Sequence, residues 1–136
     1  SLDIHGTLPT TLGLLSKLEK LHLGNNSITG TLPTELGQMT NLAELQLHSN
    51  KLSGTIPREL CNAHSLWMIR LHTNELSGNI PDTIENLPNL IGLELGSNQL
   101  SGTIPESMCK NSKLSVLDLN FNKLHGSISD SVYRCS

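Results

Sequence analysis

Rings are almost missing from this sequence: 136 residues carry one Trp, one Tyr and one Phe, 2% in all. A domain of this length normally fills part of its centre with aromatics, so aliphatic side chains must do nearly all the packing. Charge is scarce too. The charged fraction is 15% and the formal charge is −3, from 9 basic and 12 acidic residues, which supplies no long-range field for nucleic acid or an anionic bilayer. No apolar run reaches about 18 residues, so no membrane-inserted segment is expected, and no leader with a charged start and apolar centre is visible. The first residue is Ser1 and falls inside a repeating unit, which predicts a processed or trimmed chain.

What is present is repetition. Asn26, Asn50, Asn74, Asn98 and Asn122 lie 24 residues apart without an insertion or deletion. Leucine-like residues precede each Asn at fixed distances, as Leu66, Ile69 and Leu71 precede Asn74, and a block such as Leu76-Ser77-Gly78-Asn79-Ile80-Pro81 follows it. The L-x-L pair has period 2, a short strand with its leucines on one face, and the constant return makes equivalent strands neighbours in a parallel sheet. The spacing therefore predicts an α/β solenoid, a single repeat domain with a partial unit over 1–17 and about five units over 18–136. In the partial unit Leu2 takes the Asn place.

The Asn ladder has a structural explanation. An inward amide at the strand end can donate to and accept from turn backbone groups that burial would otherwise leave unpaired. Gly6, Gly30, Gly54, Gly78, Gly102 and Gly126 mark a sharp bend or a close approach. Pro9, Pro33, Pro57, Pro81 and Pro105 lie on the return path, with Ser129 where the next would be. The inward row Leu12, Leu36, Leu60, Ile84, Met108 and Val132 closes the core from the other side.

Each unit reads L-x-x-L-x-L-x-x-N-x-L-S/T-G-x-I/L-P-x-x-L/I/M. Over nearly the whole chain this pattern resembles the plant-type leucine-rich repeats of receptor-kinase ectodomains, receptor-like proteins and polygalacturonase-inhibiting proteins. The resemblance implies a right-handed superhelix with a concave parallel sheet, an additional short strand around the S-G-x-I-P block and short helical or 3-10 returns. It also implies an extracellular or cell-surface setting and protein or peptide recognition. The paired-cysteine N-terminal cap of such proteins is not seen.

Between the inward leucines, the outward places vary freely, as a recognition surface would. Trp67, Met68 and Ile91 are large apolar residues at such places, with Val116 and Phe121 farther along, rimmed by Arg70, His72, Glu94 and Asp118. These nine residues are the candidate binding site, because large exposed rings and aliphatics concentrate at interface centres. The competing expectation is that neighbouring loops or a flanking unit cover them. His48 and His72 share a column one rung apart, but a third ligand is lacking, so no metal is expected. Glu94 and Asp118 are rung neighbours on an open face, without the pocket that would separate their acidities, so neither catalysis nor a cofactor is expected.

Asn25-Asn26-Ser27 is an N-glycosylation sequon with Asn25 outward at the strand edge. Cys61 and Cys109 sit two rungs, about 9.6 Å, apart, beyond the ~7 Å reach of a disulfide, so they are not expected to pair. Cys135 falls in the inward row of Leu15, Met39, Ala63, Leu87 and Asn111, as a buried thiol or part of a C-terminal cap. Three further readings stay open beside recognition: a polygalacturonase-type enzyme inhibitor, a structural subunit of a larger complex, and ice or polysaccharide binding. The last would use the row Thr31, Thr55, Thr103 and Ser127, broken by Asn79.

Overall fold

A computed structural model describes residues 3–127; the expectations placed on Leu2, Ser129, Val132 and Cys135 lie outside them. The strands of the described residues, β1 to β11 in chain order, form two parallel sheets. One holds β2 (Lys20–His22), β4 (Glu44–Gln46), β6 (Met68–Arg70), β8 (Gly92–Glu94) and β10 (Val116–Asp118). These are the L-x-L segments, and they pair in the repeat register, Leu21 with Leu45 and Ile69 with Leu93. The other sheet holds β1 (His5–Thr7), β3 (Ser27–Thr31), β5 (Lys51–Gly54), β7 (Glu75–Asn79), β9 (Gln99–Gly102) and β11 (Lys123–Leu124).

Among the described residues, five 3-10 helices make the return: Thr10–Leu14, Thr34–Gln38, Arg58–Asn62, Asp82–Asn86 and Glu106–Lys110. Each is entered from a proline with φ between −59° and −76°, the value the ring enforces. Between the sheets and the helices the leucines form one continuous core. Leu42, Leu45, Leu66, Leu71, Leu76 and Leu87 are wholly buried, whereas Leu15 and Leu117, at the same inward places on rungs with fewer described neighbours, are exposed.

The asparagines do more than close their own turns. Asn50 Nδ2 donates to Leu47 O at 3.0 Å in its own rung and to Leu23 O at 3.0 Å in the one before, while its Oδ1 accepts from Ile28 N at 2.9 Å. Asn74, Asn98 and Asn122 repeat the scheme. Each amide thus bolts two consecutive rungs together. The six block glycines all have positive φ, 75° to 95°, the bend expected of them.

The second sheet departs from the straight hydroxyl row. Its pairing runs Thr29 to Lys51 and Thr31 to Ser53, an offset of 22 residues where the first sheet keeps 24. Thr31 therefore faces Ser53 across the strands, and the Thr31–Thr55–Thr103 line climbs the sheet in steps.

Candidate functional site

The outward face of β2, β4, β6, β8 and β10 assembles the predicted columns. Ile91 and Val116 are 40% and 44% exposed, Phe121 is 82% exposed, and Trp67 is half-buried. Trp67 O accepts hydrogen bonds from Ile91 N at 2.8 Å and Gly92 N at 3.0 Å, which sets the Trp67 and Ile91 side chains on adjacent rungs.

Met68 corrects the sequence reading. It stands at an outward place but is only 8% exposed. Gly92 lies beside it in register, and a Cβ there would meet Met68 Cε at 2.5 Å and Sδ at 2.6 Å. The thioether occupies the space the glycine leaves, so Met68 is packed against the sheet instead of presenting itself.

Glycine hollows of this kind recur across the face, and the sequence reading missed them. The ring of His48 lies over Gly24. Over Gly96, a Cβ would meet Asn120 Oδ1 at 2.5 Å and the two carboxylate oxygens of Asp118 at 2.8 and 2.9 Å. The signal was available: an outward column holding glycine beside large residues, as Gly24, His48, His72, Gly96 and Asn120 do.

Charges are paired between rungs. Glu44 receives Lys20 Nζ and His22 Nε2, at 2.6 and 3.0 Å, and is 7% exposed despite facing outward. The Lys20 hydrogen bond holds the Glu44 carboxyl below its ordinary range against the opposing effect of desolvation, and Glu44 raises Lys20 in return. Glu94 accepts from Arg70 Nε at 2.9 Å, and His72 Nε2 lies 3.6 Å from its other oxygen. Asp118 accepts only from Asn120 N, at 3.1 Å, and has no cationic partner among the described residues.

His48 and His72 stack with centroids 4.8 Å apart. Desolvation first, then the neighbouring His72 and Arg70, push the His48 imidazole below its usual pKa. Its Nε2 is 3.2 Å from Asn25 Nδ2, and its buried Nδ1 has no partner. Asn25 itself is exposed, with φ 58°. Among the described residues no group of three or more His, Cys, Asp or Glu side chains is arranged to hold a metal ion. Cys61 is free and buried, and burial raises its thiol pKa.

No helix of the described residues is long and apolar enough to cross a membrane. The sequence profile of the leucine-rich repeat matches residues 16–76, and a second profile of the same repeat matches 89–111 and 113–135. The leucine-rich-repeat ectodomain of the Arabidopsis thaliana receptor kinase GASSHO1/SCHENGEN3, solved in complex with Casparian strip integrity factor 2, superimposes with a TM-score of 0.93. It is 36% identical, over 96% of this chain and 16% of that one. The Arabidopsis receptor kinase HAESA, in complex with the peptide hormone IDA and the co-receptor SERK1, gives 0.90 and 34%, over 93% and 22% of the two chains. A plant ice-binding protein gives 0.82 and 31%, over 88% and 39%. This chain thus spans less than a quarter of each of these receptor ectodomains. No curated protein sequence matches it.

Proposed function

The chain belongs to the leucine-rich repeat family, and from that membership we propose that it is a non-catalytic recognition module of a receptor-like, extracellular protein that holds a protein or peptide on its concave sheet. The observation that carries this reading is Ile91. On an interior rung whose Leu90, Leu93 and Leu95 are buried, Ile91 stays 40% exposed on the rung next to that of Trp67. A rigid parallel sheet presents such groups without ordering a loop for each, so little conformational entropy is lost on binding. The receptor neighbours, two of them solved with their partners, support the same class of function.

Selection of peptides from a random display library on the immobilised chain tests it. Trp67→Ala should weaken a selected peptide by about 2 kcal/mol, roughly thirtyfold, as loss of a central ring does. Thr83→Ala, on the return helices, should change nothing. Equal binding by the wild type and the Trp67 variant would remove the concave face from consideration. An extracellular setting also predicts a glycan on Asn25, read as a mass increment on its peptide that a glycosidase removes.

Ice or polysaccharide binding through the second sheet is the other reading. It is favoured by the exposed Thr7, Thr31, Thr55 and Thr103 and by the ice-binding neighbour. The stepped register, and the exposed Lys51, Glu75 and Gln99 beside the hydroxyls, weigh against it. Thermal hysteresis that disappears in Thr55→Ala would favour it over the concave face.

A further inference from the structure

We propose that the stacked His48–His72 pair is an acid-operated switch in the concave face: a proton on His48 drives its ring off Gly24, breaks the stack and lowers the affinity of the face for its ligand. The movement stands on the geometry of the pair, and its effect on affinity rests on the concave-face reading.

His48 occupies a seat that suits only the neutral ring. The edge carrying both nitrogens is turned down onto Gly24: a Cβ there would run into His48 Cε1 and lie 2.7 Å from both Nδ1 and Nε2. His72 stacks on the ring, with centroids 4.8 Å apart and planes 21° apart. Asn25 Nδ2 lies 3.2 Å from Nε2, so Nε2 accepts and the neutral ring keeps its proton on Nδ1, a buried atom with no partner. A second proton would go to Nε2, against the amide donor. Turning the Asn25 amide supplies an acceptor to Nε2 alone, and the Nδ1–H, now part of a cation, still has none.

The charged groups around the seat do not offset that cation. On the rung before, His22 is bound to Glu44 Oε2 at 3.0 Å, and Lys20 holds the other oxygen of Glu44, the carboxylate of His48's own rung. The rung after contributes Arg70 and His72, a guanidinium and a second imidazole. Glu94, one rung farther, accepts from Arg70 Nε at 2.9 Å and faces His72 Nε2 at 3.6 Å. A proton on His72 thus meets a carboxylate, whereas a proton on His48 meets Arg70 and the neighbouring ring. Turned out to water, the His48 imidazolium is solvated at both nitrogens, and the space over Gly24 is left open. Acid therefore populates the unseated ring and neutral pH the seated one. A ligand that covers the seated pair binds in proportion to the seated fraction.

Proton NMR of the wild type between pH 7.5 and 5.0 reads the movement without a ligand. The Gly24 Hα resonances, displaced by the ring above them, should return to ordinary values with the midpoint at which His48 titrates. Gly24→Ala supplies the open state at every pH, because its Cβ takes the place of the ring. Affinity is read by calorimetry with a capped synthetic peptide from the display selection, free of Asp, Glu and His and weakened by Trp67→Ala. It should bind the wild type roughly tenfold more weakly at pH 5.0 than at 7.5, as a seated fraction of about one tenth requires. Gly24→Ala should bind it weakly at both values, and His48→Phe, whose ring takes no proton, equally well at both. Gly24 resonances that stay in place while His48 titrates would overturn the movement. A peptide affinity that ignores pH, or that falls equally in His48→Phe, would overturn the ligand step and leave the concave-face reading standing. If no selected peptide is weakened by Trp67→Ala, the concave-face reading falls and the ligand step with it, and the NMR titration still decides the movement. Melting curves at both pH values confirm that each variant is folded.

Discussion

Asn74 shows how much one side chain carries in a repeat fold. Its amide donates to Leu71 O and Leu47 O, both at 3.0 Å, and accepts from Leu52 N at 2.9 Å. Asn74→Ala should cost about 2 to 3 kcal/mol, because backbone groups of two rungs lose their partner at once. Urea denaturation reads this directly, and an unchanged midpoint would refute the bolting role. Phe121 poses the opposite case. It follows Asn25, Ser49, Thr73 and Ser97 in a column of left-handed residues, with φ 50°, yet it is the bulkiest of them and 82% exposed. Phe121→Asn should raise stability by about 0.5 to 1 kcal/mol, since asparagine tolerates that conformation better. His48 gives the pH dependence. Burial disfavours its imidazolium, so the unfolded chain takes up the proton near the ordinary histidine value of 6.5 while the folded chain resists it. Stability is then complete above pH 6.5 and falls as the pH drops toward 5. Glu44, whose pKa is lowered from 4.5, adds its own loss only below that value. Denaturation midpoints at pH 7.5 and 5.0 should differ less in His48→Asn than in the wild type.

At the level of elements, the sequence was most legible where one chemical demand repeats. Buried Leu45, Leu71 and Leu95 fix the period-2 strands, and Pro33 or Pro57 fixes the entry to each 3-10 helix, so strands, returns and the Asn ladder could be read from spacing. The register of the second sheet could not. Its two-residue offset arises from backbone pairing between β3, β5 and β7, and no side-chain period announces it. The candidate site was legible in outline, because outward columns follow from inward ones. Its depth was not: whether Met68 stands up or lies down depends on Gly92 one rung away, a contact 24 residues off in sequence. Packing between returns carries the same lesson. A Cβ on Gly37 would run into the Glu59 carbonyl of the next 3-10 helix, while on Gly13 it would meet Glu35 O at 2.8 Å. Gly37→Ala should therefore destabilise by about 1 to 3 kcal/mol, although alanine ordinarily favours helical backbone. A neutral or stabilising result in thermal unfolding would show that the returns can separate freely.

For the whole molecule, stability is a sum over neighbouring rungs, because each strand, amide bolt and 3-10 helix contacts only the units before and after it. Interior rungs have two such partners and bury their leucines completely, as Leu45, Leu47, Leu66 and Leu71 do. Toward either end of the described residues coverage falls, with Leu15 48% and Leu117 40% exposed at places where interior rungs bury theirs. Opening should accordingly begin at an end and advance rung by rung, the interior amides exchanging only through the larger openings. Native-state hydrogen exchange should find the slowest amides at Leu47, Leu71 and Leu95, which bond across consecutive rungs at 2.7 to 2.9 Å, and faster ones at Leu15 and Leu18. Asn74→Ala makes the expectation sharper. By weakening one interior interface it should divide the stack, speeding exchange on both of its sides more than Asn122→Ala speeds exchange at the amino-terminal rungs. Equal protection along the chain, with every amide responding alike to either variant, would mean that the solenoid unfolds as one indivisible unit and that nearest-neighbour stacking does not govern its stability.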